Sequence, residues 1–150
     1  MNEAFRFEID PDWVKSRWER VSTTPKDNDL YGMRVALVTG VNPQDVHGSL
    51  TYFFDKSDQL QRITFRGWTG DATQLVQLLT DRYGFSVRET HMGALYVSKS
   101  FFGVKGALML QNAAVIRSAT PTQQVAISLE MNNPNGSLSL SREFSSMLPR

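Results

Sequence analysis

Cysteine is absent from the 150 residues, so the chain can build no disulfide framework, no thiolate metal site and no cysteine nucleophile. Histidine is scarce. Only His47 and His91 occur, neither beside a carboxylate at ligand spacing, and a metal centre would need both of them plus acidic residues from elsewhere. No metal and no cofactor is expected. Charge of one sign is also missing: 16 Lys and Arg stand against 15 Asp and Glu, for a net charge of +1. That balance removes the field a general nucleic-acid binder or a polybasic membrane binder uses, and weighs against nucleic acid as a partner. No run reaches the ~18 apolar residues of a membrane-spanning helix, and Met1-Asn-Glu-Ala does not open a signal peptide. A soluble domain with no transmembrane segment is expected. The nucleophile elbow G-x-S-x-G, the phosphate loop G-x-x-x-x-G-K-S/T and the dinucleotide fingerprint G-x-G-x-x-G are all lacking. No catalytic residue is assigned, and the reading leans away from an enzyme.

What is present centres on 49–84. Ser49-Leu-Thr-Tyr-Phe-Phe54 and Leu60-Gln-Arg-Ile-Thr-Phe65 flank the polar Asp55-Lys-Ser-Asp-Gln59, which predicts an antiparallel hairpin. Strand alternation puts Ile63 and Phe65 on one face and Arg62, Thr64 and Arg66 on the other. Arg66-Gly-Trp-Thr-Gly-Asp71 then leads into a helix. Asp71 is its expected cap, with Gln74 completing a capping box and Gly84 at its end. Ala72, Leu75, Val76, Leu79 and Tyr83 form one apolar stripe, which needs a sheet to cover.

Upstream, the alternation of Phe5-Arg-Phe-Glu-Ile9 predicts a short strand. Asp10-Pro-Asp12 predicts a helix start, with Asp10 as cap, Pro11 at the first helical position, and Ile9 and Val14 as a hydrophobic staple. Trp18 is expected in the core. A loop over Ser22 to Asp29 precedes a strand over Leu30 to Thr39. Downstream, Phe85 to Arg88 and Ala94 to Ser98 read as strands joined at Met92-Gly93, and Gly103 and Gly106 bracket an expected loop. Ala107 to Arg117 and Gln123 to Met131 read as a last hairpin across Ser118-Ala-Thr-Pro121. The fold class expected is α+β: one twisted, mainly antiparallel sheet with two helices packed on one face. Residues 1–131 form a single domain in this reading, and 132–150 a flexible serine-rich tail. Its Leu138, Leu140, Phe144, Met147 and Leu148 are apolar enough to dock, on this molecule or on another.

Most polar clusters have a plain structural explanation. Asp55 and Asp58 lack the alternating ligands, glycine and terminal Glu of a calcium loop and read as turn residues. Thr69-Gly-Asp71 before a helix could offer N–H groups to an anion, but the Asp71 carboxylate would repel it. Asn135-Gly136-Ser137 matches a glycosylation acceptor and reads as a turn. The constellation that stands out is Arg62, Thr64, Arg66 and Trp68, which share strand parity on the polar side of the hairpin, with Thr51 and Phe53 expected across the strand. Arginines beside aromatic rings can grip carboxylates, phosphates or sugars. The structural alternative is a solvated sheet face with arginine stems lying over aromatic surface.

Phe7-Glu-Ile-Asp-Pro-Asp-Trp-Val14, Arg17-Trp-Glu-Arg-Val-Ser22, Gly48-Ser-Leu-Thr-Tyr-Phe-Phe-Asp55 and Gln61-Arg-Ile-Thr-Phe-Arg-Gly-Trp-Thr-Gly-Asp71 resemble an uncharacterised family of planctomycete bacteria. The likeness runs from about Phe5 to Arg88 and is weaker beyond. These blocks carry fold and not catalysis. The resemblance implies a hydrophobic anchor ahead of the domain and a place in the cell envelope, and the strand-like start close to Met1 fits a domain excised from a longer protein. The leading expectation is a non-catalytic binding or protein-interaction domain of an envelope-associated bacterial protein, its partner and oligomeric state left open. The second is a small-molecule or anion-binding enzyme domain using Arg62, Arg66 and Trp68. Single-stranded nucleic-acid binding through the same residues comes third.

Overall fold

A computed structural model describes residues 1–25, 28–88, 93–101, 103–112 and 125–148. Helix α1 spans Pro11–Arg17, and strands β1 (Ser22–Thr23), β2 (Tyr31–Val38), β3 (Val46–Phe54) and β4 (Leu60–Thr69) follow. Helix α2 (Thr73–Tyr83) leads into β5 (Ser86–Arg88), β6 (Ala94–Ser100), β7 (Gly103–Asn112), β8 (Val125–Asn132) and the short α3 (Arg142–Ser145). The eight strands form one open sheet in the order β1-β2-β3-β4-β8-β7-β6-β5, with every neighbouring pair antiparallel. The last strand in sequence thus lies in the middle, joining β4 to β7.

Register follows the apolar pattern. Leu50 pairs with Phe65, Tyr52 with Ile63 and Phe65 with Leu129, which lines these side chains along the first face of the sheet. They form one buried cluster with Phe5, Ile9, Val14 of α1, and Leu75 and Leu79 of α2. Each large side chain removed from water contributes roughly 1.5–3 kcal/mol, so this cluster carries the bulk of the apolar stabilisation. Aromatic rings meet edge to face within it, Phe5 on Phe65 at 5.8 Å and Trp13 on Tyr52 at 6.4 Å between centroids. Trp18 is half-buried against it, and Trp13 packs on Trp18.

Helix α1 begins as its sequence dictates. The Asp10 carboxylate accepts from the Trp13 N–H at 2.8 Å, Pro11 opens the helix, and Ile9 and Val14 are both buried. The start of α2 differs by one position. Ala72 is its cap residue and makes no side-chain bond, while Asp71, one residue earlier, accepts from the Thr73 N–H at 2.9 Å and the Thr73 hydroxyl at 2.6 Å. The expected capping box with Gln74 is therefore replaced by an Asp-turn. Gly84 ends α2 in the left-handed region at φ 67, its N–H bonding the Thr80 carbonyl while Phe85 N–H reaches that of Leu79.

Two expected elements are corrected. Phe5 to Ile9 alternates but forms no strand. Its neighbourhood is instead held by side chains: Tyr52 donates to the Ala4 carbonyl at 2.7 Å, Tyr83 to that of Phe5 at 2.9 Å, and Arg82 to those of Asn2 and Phe5. Those carbonyls have their donors without a sheet. The Gly103 to Gly106 segment, expected as a loop, is the start of β7. Within that strand glycine is required at 106, where a β-carbon would lie 2.6 Å from the Phe85 ring and 2.7 Å from the Ser98 hydroxyl. The loop over Ser22 to Asp29 contains the two-residue β1, and His91, Met92 and the turn Ser118 to Pro121 lie outside the described residues.

Asp10→Ala is expected to cost about 0.5–2 kcal/mol, read from the denaturant midpoint, and Asp71→Ala less, because Asp71 stands outside the cap position. Asp55 sets the acid behaviour of the β3–β4 turn. Its slight burial would raise its pKa, but N–H groups of Gln59 and Ser57 and the Gln61 amide outweigh that and lower it. A depressed folded pKa adds stability above the unfolded value, and this is lost as pH falls through the folded one. Stability should therefore drop below the ordinary carboxylate value of 3.8, and Asp55→Asn should flatten that part of the pH curve.

Candidate functional site

Arg62, Thr64, Arg66 and Trp68 do lie together on the second face, opposite Ile63 and Phe65. In register they pair with Phe53, Thr51, Ser49 and His47 on one side, and with Asn132, Glu130, Ser128 and Ala126 on the other. The expected cross-strand neighbours Thr51 and Phe53 are in place. The face continues through Ala107 and Met109 of β7 to Val97 and Leu95 of β6. Its floor changes character halfway: polar and aromatic over β2 to β4, apolar over β6 and β7.

The serine-rich segment covers the apolar half. Phe144, 2% exposed, packs with Leu95, Val97, Ala107 and Met109, and Leu140, Met147 and Leu148 close around it. Of the two docking sites left open by the sequence, this molecule is the one used, and the segment does not stand free of the domain as an exposed tail would. The reason is its spacing. Leu140, Phe144, Met147 and Leu148 recur at i, i+4, i+7 and i+8, the stripe of a helical turn, and Ser141 caps that turn through its hydroxyl and the Phe144 N–H.

This docking engages both arginines. Arg62 Nε donates to Asn132 Oδ1 at 2.7 Å and lies 3.7 Å from Glu130 Oε1, while its Nη2 donates to the Ser139 carbonyl at 3.0 Å. Arg66 pairs with Glu143 and sits 5.5 Å above the Phe144 ring. Arg62 is thus taken up by the chain itself, while Arg66 stays about half exposed in its pair with Glu143. The face assignment from parity is right, but the face is shared with another part of the chain. Trp68, 39% exposed, stays open to solvent, and Thr64, on the far side of Arg66 along the same strand, is half-buried.

Three residues that sequence reasoning passed over complete this arrangement. Glu130 is 2% exposed, and its Oε2 accepts from the Ser141 N–H at 2.8 Å and the Asn132 amide at 3.3 Å. Lys105 is also buried, donating to the carbonyls of Gly136 and Leu138, and its own carbonyl accepts from Asn132. Buried charges are stable only when paired and hydrogen-bonded. Alternation along the expected strand from Gln123 to Met131 sets Glu130 opposite Leu129 and Met131 but does not show what covers its face. The one available signal was that the residues flanking it across the sheet, Thr64 and Ala107, belong to a face that something else has to cover.

Elsewhere, a cavity of about 220 Å³ lies between Phe7, Tyr83, Phe85, Ser98, Lys105 and Met131. It falls below the ~300–1,000 Å³ of typical ligand pockets, and Lys105 and Arg82 at its wall are already bonded to carbonyls. Among the described residues no group of three His, Asp or Glu side chains is placed to hold a metal. No helix of the described residues is long and apolar enough to cross a membrane.

Phe144→Ala is expected to destabilise the fold by about 3–5 kcal/mol, as for a buried phenylalanine. Arg62→Ala should cost on the order of 1–3 kcal/mol, because it leaves the buried Glu130 carboxylate without its cation and the buried Asn132 Oδ1 without its donor, while Arg66→Ala, on an exposed pair, should stay within about 1 kcal/mol. Equal losses for the two arginines in chemical denaturation would contradict this division of the face.

No curated protein and no solved structure matches the chain. A family model does match, over residues 1–150. The chain belongs to a family of unknown function, DUF6690.

Proposed function

We propose that the chain is a non-catalytic interaction domain whose contact surface is the open half of the second face, formed by β2, β3 and β4. The observation that carries this is the exposure of large apolar side chains on a strand face that the rest of the chain leaves bare. Trp68 is 39% and Val38 68% exposed, with Arg34, Ala36 and Ser49 exposed between and beside them. In register, Val38 stands beside His47, and His47 beside Trp68, so the three form one row across the strands. A row of one tryptophan, one valine and one imidazole, flanked by arginine and hydroxyl side chains, has the composition of an interface core with a polar rim. Trp and Arg are the residue types that carry most of the energy in such surfaces.

The anion-binding and nucleic-acid readings depend on free arginines. With Arg62 held by Asn132, Glu130 and Ser139 and Arg66 paired at the surface with Glu143, they lose part of their support. A protein partner is the reading that remains favoured. The resemblance of the N-terminal blocks adds the proposal that the domain belongs to a larger envelope-associated protein of planctomycete bacteria.

A photo-reactive amino acid placed at Ser49 or Arg34 is expected to crosslink a discrete partner in the native cell, and the same group at Lys56, in the β3–β4 turn, is not. Adding Trp68→Ala with Val38→Ser should abolish the Ser49 crosslink while the purified variant keeps the circular-dichroism spectrum of the folded domain. Equal crosslinking from Ser49 and Lys56, or a Ser49 product insensitive to the double substitution, would remove this surface from consideration.

A further inference from the structure

One row of the first face carries little side chain. Across β6, β7 and β8 the register sets Ser98 beside Gly106 and Gly106 beside Met131, so a hydroxymethyl group and bare backbone stand where the next row has Tyr96, Leu108 and Leu129. Over this low floor lie the rings of Tyr83 and Phe85, at and just beyond the end of α2, and of Phe7, which meets Tyr83 edge to face at 6.1 Å between centroids. The Phe85 ring takes the space directly above Gly106, where a β-carbon would lie 2.6 Å from it. Rigid rings do not fill the remainder, which is the cavity of about 220 Å³. In its wall is a buried hydroxyl without a bond. Ser98 is 8% exposed, and its Oγ is on the first-face side, 2.7 Å from the place of a Gly106 β-carbon. Among the described residues that hydroxyl has no hydrogen-bond partner. Lys105 and Asn132, also in the wall, have their polar side-chain atoms bonded to carbonyls, Glu130 and Arg62.

We propose that this cavity binds a small aromatic carboxylate, a single ring bearing one carboxylate group. Size sets the first limit. A dry cavity of ~150 Å³ takes a benzene ring, so the space here holds a ring and one small substituent, while larger ligands need pockets of ~300 Å³ and more. The walls set the second. Phe7, Tyr83 and Phe85 offer ring edges and faces to a further ring, and the Met131 thioether suits the same neighbour. Charge and hydrogen bonding set the third. Arg82 and Lys99 belong to the lining and no Asp or Glu does, so the local potential favours an anion. The Ser98 hydroxyl is a donor that a carboxylate oxygen can accept. The cavity is on the opposite side of the sheet from the row of Val38, His47 and Trp68, so this site goes beyond the proposed contact surface and stands independently of it.

Benzoate is the probe, titrated into the full chain carrying methyl-labelled methionine and followed by NMR. The Met131 methyl resonance is expected to shift saturably, with a Kd on the order of 1 mM or tighter. Those of Met33 and Met109, which do not line the cavity, should stay in place. Benzamide and benzylamine, which keep the ring without the negative charge, should bind about tenfold more weakly or worse. Ser98→Ala should weaken benzoate by about tenfold. The same variant without benzoate should melt at or above the temperature of the parent chain, because a buried hydroxyl that makes no bond adds nothing to the fold. A Met131 resonance that does not move up to about 10 mM benzoate, or that moves as readily with benzamide or benzylamine, would overturn the proposal. So would a Ser98→Ala chain that binds benzoate as the parent does, or one that melts lower, since the hydroxyl would then serve the fold.

Discussion

An eight-stranded sheet has two faces, and this chain carries too little helix to cover both. Every apolar side chain on an uncovered face stays in water and gives up the burial that stabilises a fold. Side chains of the first face share one buried cluster with Phe5, Ile9, Val14, Leu75 and Leu79. The second face is apolar only over β6 and β7, and there the chain brings back its own last residues. Over β2 to β4 the same face is lined by threonine, serine and arginine, which tolerate water, and by the few apolar residues that do not fit that explanation. Those few, Trp68 and Val38, are where a contact surface is proposed.

Between the two halves of the second face runs a seam of buried charge. Glu130 and Lys105 are both out of solvent, and removing ions from water costs several kcal/mol each unless their hydrogen bonds are replaced. They meet this cost differently. Glu130 has Arg62, Asn132 and the Ser141 N–H, whereas the partners of Lys105 among the described residues are carbonyl oxygens of the returning segment. An apolar pair of the same size would give comparable stability with less geometric demand. What the charged seam adds is direction, because it accepts the segment in one alignment and penalises a slip by a residue.

The sequence was legible where neighbours in the chain decide the structure. The Asp10 cap, the Gly84 stop and the opposite parity of Arg62, Thr64, Arg66 and Trp68 to Ile63 and Phe65 all rest on contacts within a few residues. Their register against Thr51 and Phe53 followed from one short turn. It was not legible where the deciding partner is distant. Phe5 to Ile9 alternates like a strand, but the carbonyls at and just before its start, those of Asn2, Ala4 and Phe5, are taken by Arg82, Tyr52 and Tyr83, which are up to 80 residues away. The composition of 132–150 suggested exposure, and the fourfold spacing of Leu140 and Phe144 was outweighed by the serines around them. The candidate residues were therefore found as a set, while the side chains that engage them, Glu130, Glu143 and Asn132, were not.

The position of β8 has a consequence for how the chain comes to be folded. Translation delivers β1 to β4 first and β5 to β7 next, yet those two blocks do not touch as neighbours in the sheet; β8, at 125–132, is the strand both of them pair with. Until that strand emerges from the ribosome, β4 and β7 each present a long unpaired edge, the kind of surface on which nascent chains associate wrongly. Sheet closure is thus a late and non-local event, slow by the general relation between sequence separation and folding rate. The returning segment behind β8 arrives later still, so the apolar half of the second face is covered only after the sheet beneath it has been completed.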